Sequence, residues 1–320
     1  MKQEIHYHIE VHIHMAACNG EKHIASPASL IDMLQCQQRS VAMRKSTSTN
    51  QNYTTAIRAL KRYLKDDMQL SALTPQHLSG FERWLRGRGL CMNTVSCYMR
   101  SLRSLLTMID GRLAHMFRSV YTGNARTEKR SLGTDAVARL KQLALPPGTF
   151  LELARDVFLF SFYAMGMPFV DVAHLKRSQV TPAAIVYNRQ KTGQRVVVAI
   201  EPPMAEIMSR YGRMGSGNYV FPLLKRGTDH EYQVLIGRYN RALRRLAAMA
   251  GIATSLTSYV VRHTWASTAY SANIDLPVIS KALGHSNTRT TLTYIREIDD
   301  DRLFVANRQI ISKLEEEKIE

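Results

Sequence analysis

The chain has 320 residues, 45% hydrophobic and 22% charged, enough for two modest globular domains with cores of their own. Lysine and arginine number 43 against 26 acidic residues, a formal charge of +17 with a pI near 9.9, so the expected partner is a polyanion, nucleic acid before any other. Four cysteines without a CxxC pair read as ordinary reduced thiols, no apolar run reaches the roughly 18 residues of a membrane span, and the start lacks a signal-peptide layout, which together exclude a secreted or membrane protein and predict a cytoplasmic one.

Residues 4–15, EIHYHIEVHIHM, alternate apolar and polar and read as a half-buried strand with a histidine face. Residues 1–25 are either that strand or an extension upstream of the true start, and no metal or other site is placed there. From Ser26 the period becomes helical. Leu30, Met33 and Leu34 predict a short first helix; Tyr53, Ile57, Leu60 and Leu64 predict a second behind the capping residues of RKSTSTNQN. Thr74-Pro75 caps and opens a third helix carrying Leu78, Phe81, Trp84 and Leu85, and Asn93-Thr94 opens a fourth. Residues 26–112 are thus a bundle of about four helices whose faces carry Arg58, Lys61, Arg100 and Arg103, by default a solvated surface. Residues 113–131, polar and arginine-rich, are the expected linker.

The second domain, 132–305, is mainly α with one small β-hairpin. A helix over 134–143 and the break Pro146-Pro147-Gly148 precede a long apolar helix, FLELARDVFLFSFYAM. AAIVYN and RVVVAI are two β-prone runs joined by RQKTGQ, with Gly193 at the tip. Pro202-Pro203 starts another helix, and EYQVLIGRYNRALRRLAAM is amphipathic, with Arg241 and Arg244 on its polar side. Residues 306–320 continue a last helix with Ile310, Ile311 and Leu314 available to bury.

Chemistry concentrates in residues 256–294. Arg262 and His263 sit in an apolar helical run, Leu283-Gly284-His285-Ser286 reads as a helix stop and a new cap, and Tyr294 ends a threonine-rich turn. Metal-independent phosphoryl transfer needs these types together: an oxygen nucleophile, and fixed cations and donors for the non-bridging oxygens. Tyr294 supplies the first; the Arg262 fork and His263 or His285 supply the second.

SYVVRHTWAS and LGHSNTRTTLTY, with the tyrosine nine positions after the second motif's histidine, resemble the tyrosine recombinases, the family of phage and mobile-element integrases. Within it they most resemble the branch on mobile elements of gut anaerobic bacteria. The resemblance implies a helical core-binding (SAM-like) domain that grips DNA, with Arg58, Lys61, Arg100, Arg103, Arg241 and Arg244 as DNA contacts, followed by the catalytic domain. It implies Tyr294 as nucleophile, Arg262 and His285 on the phosphate, Lys191 in the hairpin as general acid, and Asp171 and His263 in support. Tyr259 stands where the family usually has histidine; it is either a phosphate donor or a buried core tyrosine. The family's first arginine is missing: its place falls at Pro168 or at Met165, and Arg155, Lys176 and Arg177 are the candidates to replace it.

The implied activity is site-specific recombination of double-stranded DNA through a 3′-phosphotyrosyl link, without cofactor or metal, by a homo-oligomer, a tetramer on two sites, with a DNA-bending accessory protein as a further partner. The terminal helix docks on its own domain or on another copy. The alternative is a catalytically impaired DNA-binding paralogue with an architectural role; a type IB topoisomerase shares the chemistry but fits the small first domain less well.

Overall fold

A computed structural model describes residues 29–125, 130–212, 218–285, 287–292 and 307–308. The expected amino-terminal strand, Tyr294 and most of the terminal helix lie outside the described residues. The chain divides into two compact units, Met1–Thr127 and Glu128–Glu320.

The first unit is helical: α1 (Leu30–Val41), α2 (Thr47–Leu64), α3 (Pro75–Gly87) and α4 (Met92–Ile109). Local chemistry sets the starts. Ser29 and Ser46 hydroxyls accept the N–H groups of Asp32 and Thr49, and Pro75 takes the first position of α3, where an N–H would have no partner. Leu34, Leu60, Phe81, Met99, Leu102 and Leu105 form its core. Arg58, Lys61, Arg100 and Arg103 are exposed on α2 and α4.

The expected linker departs from expectation over its first half. A 3-10 turn, Gly111–Phe117, brings Leu113, Phe117 and then Val120 into the first core. Glu82 accepts the Tyr121 N–H at 3.0 Å, and Asn93 exchanges two hydrogen bonds with Ala125, at 3.0 and 2.8 Å. The apolar residues at positions 113, 117 and 120 keep a helical spacing that the surrounding arginines obscure.

The second unit comprises α5 (Thr134–Gln142), α6 (Phe150–Tyr163), α7 (Phe169–Ala173), β1 (Ala184–Asn188), β2 (Arg195–Ala199), α8 (Pro202–Tyr211), α9 (Asp229–Met249), α10 (Val260–Ser271), α11 (Leu276–Ala282) and α12 (Thr288–Leu292). The strands pair antiparallel from Ala184 with Ala199 to Asn188 with Arg195, forming the one sheet among the described residues. Apolar on nearly every side, α6 is the central helix, touched by α5, α8, α9 and α10. Its one buried carboxylate, Asp156, accepts the Tyr211 hydroxyl at 2.8 Å and the Arg155 Nε at 2.8 Å, fastening α8 to α6. At the entry to the unit, the Leu132 N–H donates to the Thr264 hydroxyl on α10 at 3.0 Å. No described helix is long and apolar enough to cross a membrane.

Candidate active site

Arg262, third residue of α10, is only 2% exposed. A guanidinium that deep requires acceptors, and it has them. Nη1 donates to the Gly166 carbonyl at 3.1 Å; Nη2 donates to the Leu283 carbonyl and lies 3.0 Å from His285 Nε2. The turn from α6 to α7 reaches it only because residue 166 is glycine: φ is +68°, and a Cβ there would stand 3.1 Å from Arg262 Cα.

His285 lies between α11 and α12, with Nδ1 2.9 Å from the Thr291 hydroxyl. Burial first, then the charges of Arg262, Arg189 and Lys191, push its pKa down to about 4. Near neutral pH the ring is therefore uncharged; since Nε2 accepts from Arg262, the proton belongs on Nδ1, toward Thr291. Lys191 is exposed in the turn between β1 and β2, and its influence on His285 ties the hairpin tip to the same electrostatic neighbourhood.

Asp171, buried on α7, accepts the Gln190 N–H at 2.9 Å, and its other oxygen lies 2.9 Å from Arg189 Nε, close as an ion pair but poorly aligned as a hydrogen bond. Burial raises this carboxyl, opposed by the Gln190 N–H and the Arg189 charge. Arg189 is 8% exposed and donates through Nη1 to the Leu283 carbonyl, the oxygen that Arg262 also uses. Two guanidiniums meet on one backbone oxygen.

Arg189 stands outside the residues expected from sequence. Strand parity held the signal: Ile185 and Tyr187 are the buried residues of β1, and position 189 continues their phase.

Of the expected substitutes for the missing arginine, Arg155 and Arg177 have hydrogen-bond partners away from Arg262, and Lys176 is exposed. Arg155 donates to the Leu143 carbonyl at 2.7 Å and to Asp156; Arg177 Nε donates to the Tyr219 carbonyl at 3.2 Å, and Lys176 pairs by its backbone with Tyr219. The hydrogen bonds given for Arg155 and Arg177 lead to Leu143, Asp156 and Tyr219, not to Arg262, His285 or Asp171. Tyr259 is 52% exposed at the start of α10, so the buried-tyrosine reading does not hold; its ring meets His263 edge-on at 5.1 Å. Arg241 and Arg244 are exposed on α9.

Two family models match the chain in tandem: the Phage integrase SAM-like domain over residues 29–108 and the Phage integrase family over residues 151–300, together more than two thirds of the sequence. The chain belongs to the tyrosine recombinase family. Members of that family are site-specific DNA recombinases, and this is the functional class of the chain. It is 28% identical over 247 residues to tyrosine recombinase XerC of Rhodospirillum centenum, covering 73% of this chain and 71% of the relative. A lambda integrase dimer bound to a COC′ core site shares the fold with a TM-score of 0.67 at 15% identity, covering 83% of this chain and 95% of that one. The Tn1549 transposon integrase in complex with transposon right end DNA does so at 0.62 and 12%, over 87% and 99%. The mainly helical architecture with one hairpin is the recombinase fold.

Proposed function

We propose that this tyrosine recombinase cuts and rejoins double-stranded DNA at specific sites, with Tyr294 as nucleophile. The phenol oxygen bonds to phosphorus as the bond to the 5′-oxygen breaks. The phenol proton passes to water, and the Lys191 ammonium supplies a proton to the leaving oxygen. Arg262 holds the non-bridging oxygens, with His285 beside it, Tyr259 at the rim, and Asp171 and His263 in support. The covalent link conserves the phosphodiester's free energy, so rejoining needs no nucleotide.

The observation that carries this reading is the Arg262 guanidinium, buried yet joined to the Leu283–His285 turn that leads into α12, two residues short of Tyr294. Its hydrogen bonds to the Gly166 and Leu283 carbonyls and its approach to His285 hold the fork at the turn that precedes the tyrosine, the placement a phosphate-binding arginine needs. The first unit, with its exposed Arg58, Lys61, Arg100 and Arg103, serves as the second DNA-gripping half, and the substrate is met in the cytoplasm. Lambda integrase has been seen as a tetramer bound to a Holliday junction; the same assembly of four copies on two sites is the working unit proposed here.

Nicked DNA carrying the element's terminal repeats traps the covalent intermediate. The native chain is expected to yield a protein–DNA adduct, and Tyr294→Phe none while still binding DNA. An adduct that persists in the Phe variant would assign the nucleophile elsewhere.

A further inference from the structure

We propose that Arg189 is a catalytic residue, binding the scissile phosphate together with Arg262; this rests on the strand-cleaving reading above. Arg189 and Arg262 reach the Leu283 carbonyl from separate places, the first residue after β1 and helix α10. Two donors on one acceptor stand within about 6 Å of each other, a gap that a single phosphate group spans.

Charge argues the same way. Around His285 the groups whose charge is felt are Arg262, Arg189 and Lys191, all cations; among the described residues Asp171 is the one carboxylate paired with Arg189, and its charge is also felt by Arg262. Two permanent cations sharing a neutral carbonyl repel each other, and the single Asp171 carboxylate beside them leaves a net positive charge that an incoming phosphate would offset. Among the described residues no partner takes the Nη2 of Arg189, which leaves that end of the fork for a ligand. Gly284 lets the turn close on it: φ is +63°, and a Cβ there would lie 3.4 Å from Arg189 Cγ and 3.0 Å from Val196 Cγ2. Lys191 follows two residues on in the same turn, so one hairpin delivers both a phosphate donor and a proton donor. Arg155, Lys176 and Arg177 have no comparable placement.

A merely structural Arg189, anchoring Asp171, and a phosphate-binding one differ in their response to substrate charge. The nicked suicide DNA is prepared with an ordinary scissile phosphodiester and with a methylphosphonate, in which a methyl replaces a charged non-bridging oxygen. Arg189→Ala is expected to slow adduct formation about 10²–10³-fold on the phosphodiester, the usual effect of deleting one preorganised donor, and to lose most of that penalty on the neutral linkage. Recovery on the second substrate also shows that the variant is folded. Should Arg189→Ala fail to fold, Arg189→Lys gives the same comparison, slower on the phosphodiester and nearer to native on the methylphosphonate. An equal penalty on both substrates, or none on either, overturns the proposal. A native chain that forms no adduct with either substrate overturns the strand-cleaving reading itself, and that outcome is distinct from both.

Discussion

His285 shows how one side chain's protonation is set by its neighbours. With its nitrogen facing Arg262 acting as acceptor, the ring cannot also donate to a phosphate there until it gains a proton. An arriving anion offsets the cations that, after burial, help to push its pKa down to about 4. The ring titration, followed by NMR, is expected to move upward when DNA binds, and an unchanged value would remove His285 from the phosphate's surroundings. Stability follows the same linkage. The folded pKa lies below the ordinary value of about 6.5, so the stability is fully present above that pH. It is lost as pH falls toward 4, because the unfolded chain takes up the proton first. His285→Gln is expected to flatten the melting temperature over that interval. At this scale the meeting of Arg262 with His285 was foreshadowed by their two sequence motifs, and the place of Lys191 in the turn by the β-prone runs that flank it. Arg189 was not: an arginine at a strand end looks like a solvated turn residue until the pairing of β1 with β2 fixes its phase.

Helices and turns were read from caps and periodicity, and most of them follow local rules. Ser46, Thr74 with Pro75, and Pro202 each sit at a helix start. What the sequence concealed was a short apolar pattern inside a basic stretch, because charge masks periodicity where an element buries only three residues. Phe117→Ala is expected to destabilise the first unit by about 3–5 kcal/mol, as for a buried aromatic, whereas a linker phenylalanine would cost under ~0.5 kcal/mol; chemical denaturation distinguishes them. Gly284→Ala tests the turn before α12. Its positive φ and the close Val196 methyl predict a loss of about 1–3 kcal/mol, together with slower adduct formation on nicked DNA. An alanine variant as stable as the native chain would mean that the turn relaxes freely.

Across the whole molecule the governing quantity is the charge of +17, which makes DNA affinity a function of salt. From Tyr232 to Met249, α9 has no acidic residue; Arg238 stacks on the Phe150 ring at 3.8 Å, and Arg241 and Arg244 stand exposed nearby. Replacing Arg241 and Arg244 by glutamine is expected to make the plot of log affinity against log salt shallower by about 0.9 for each lost phosphate contact, and a parallel line would place α9 off the DNA. The net charge and the two-unit organisation were plain in composition. The path of the chain through residues 113–125 was not, since it depends on Glu82 and Asn93, which are distant in sequence. The Leu283 carbonyl has a consequence for a cell full of phosphate. The two guanidiniums share an oxygen of the protein's own backbone, tethered at a high effective concentration. On the phosphate-binding reading proposed above, a small anion competes with that oxygen alone, whereas a duplex brings contacts gathered along its length. That reading predicts a site that favours the polymer over small anions.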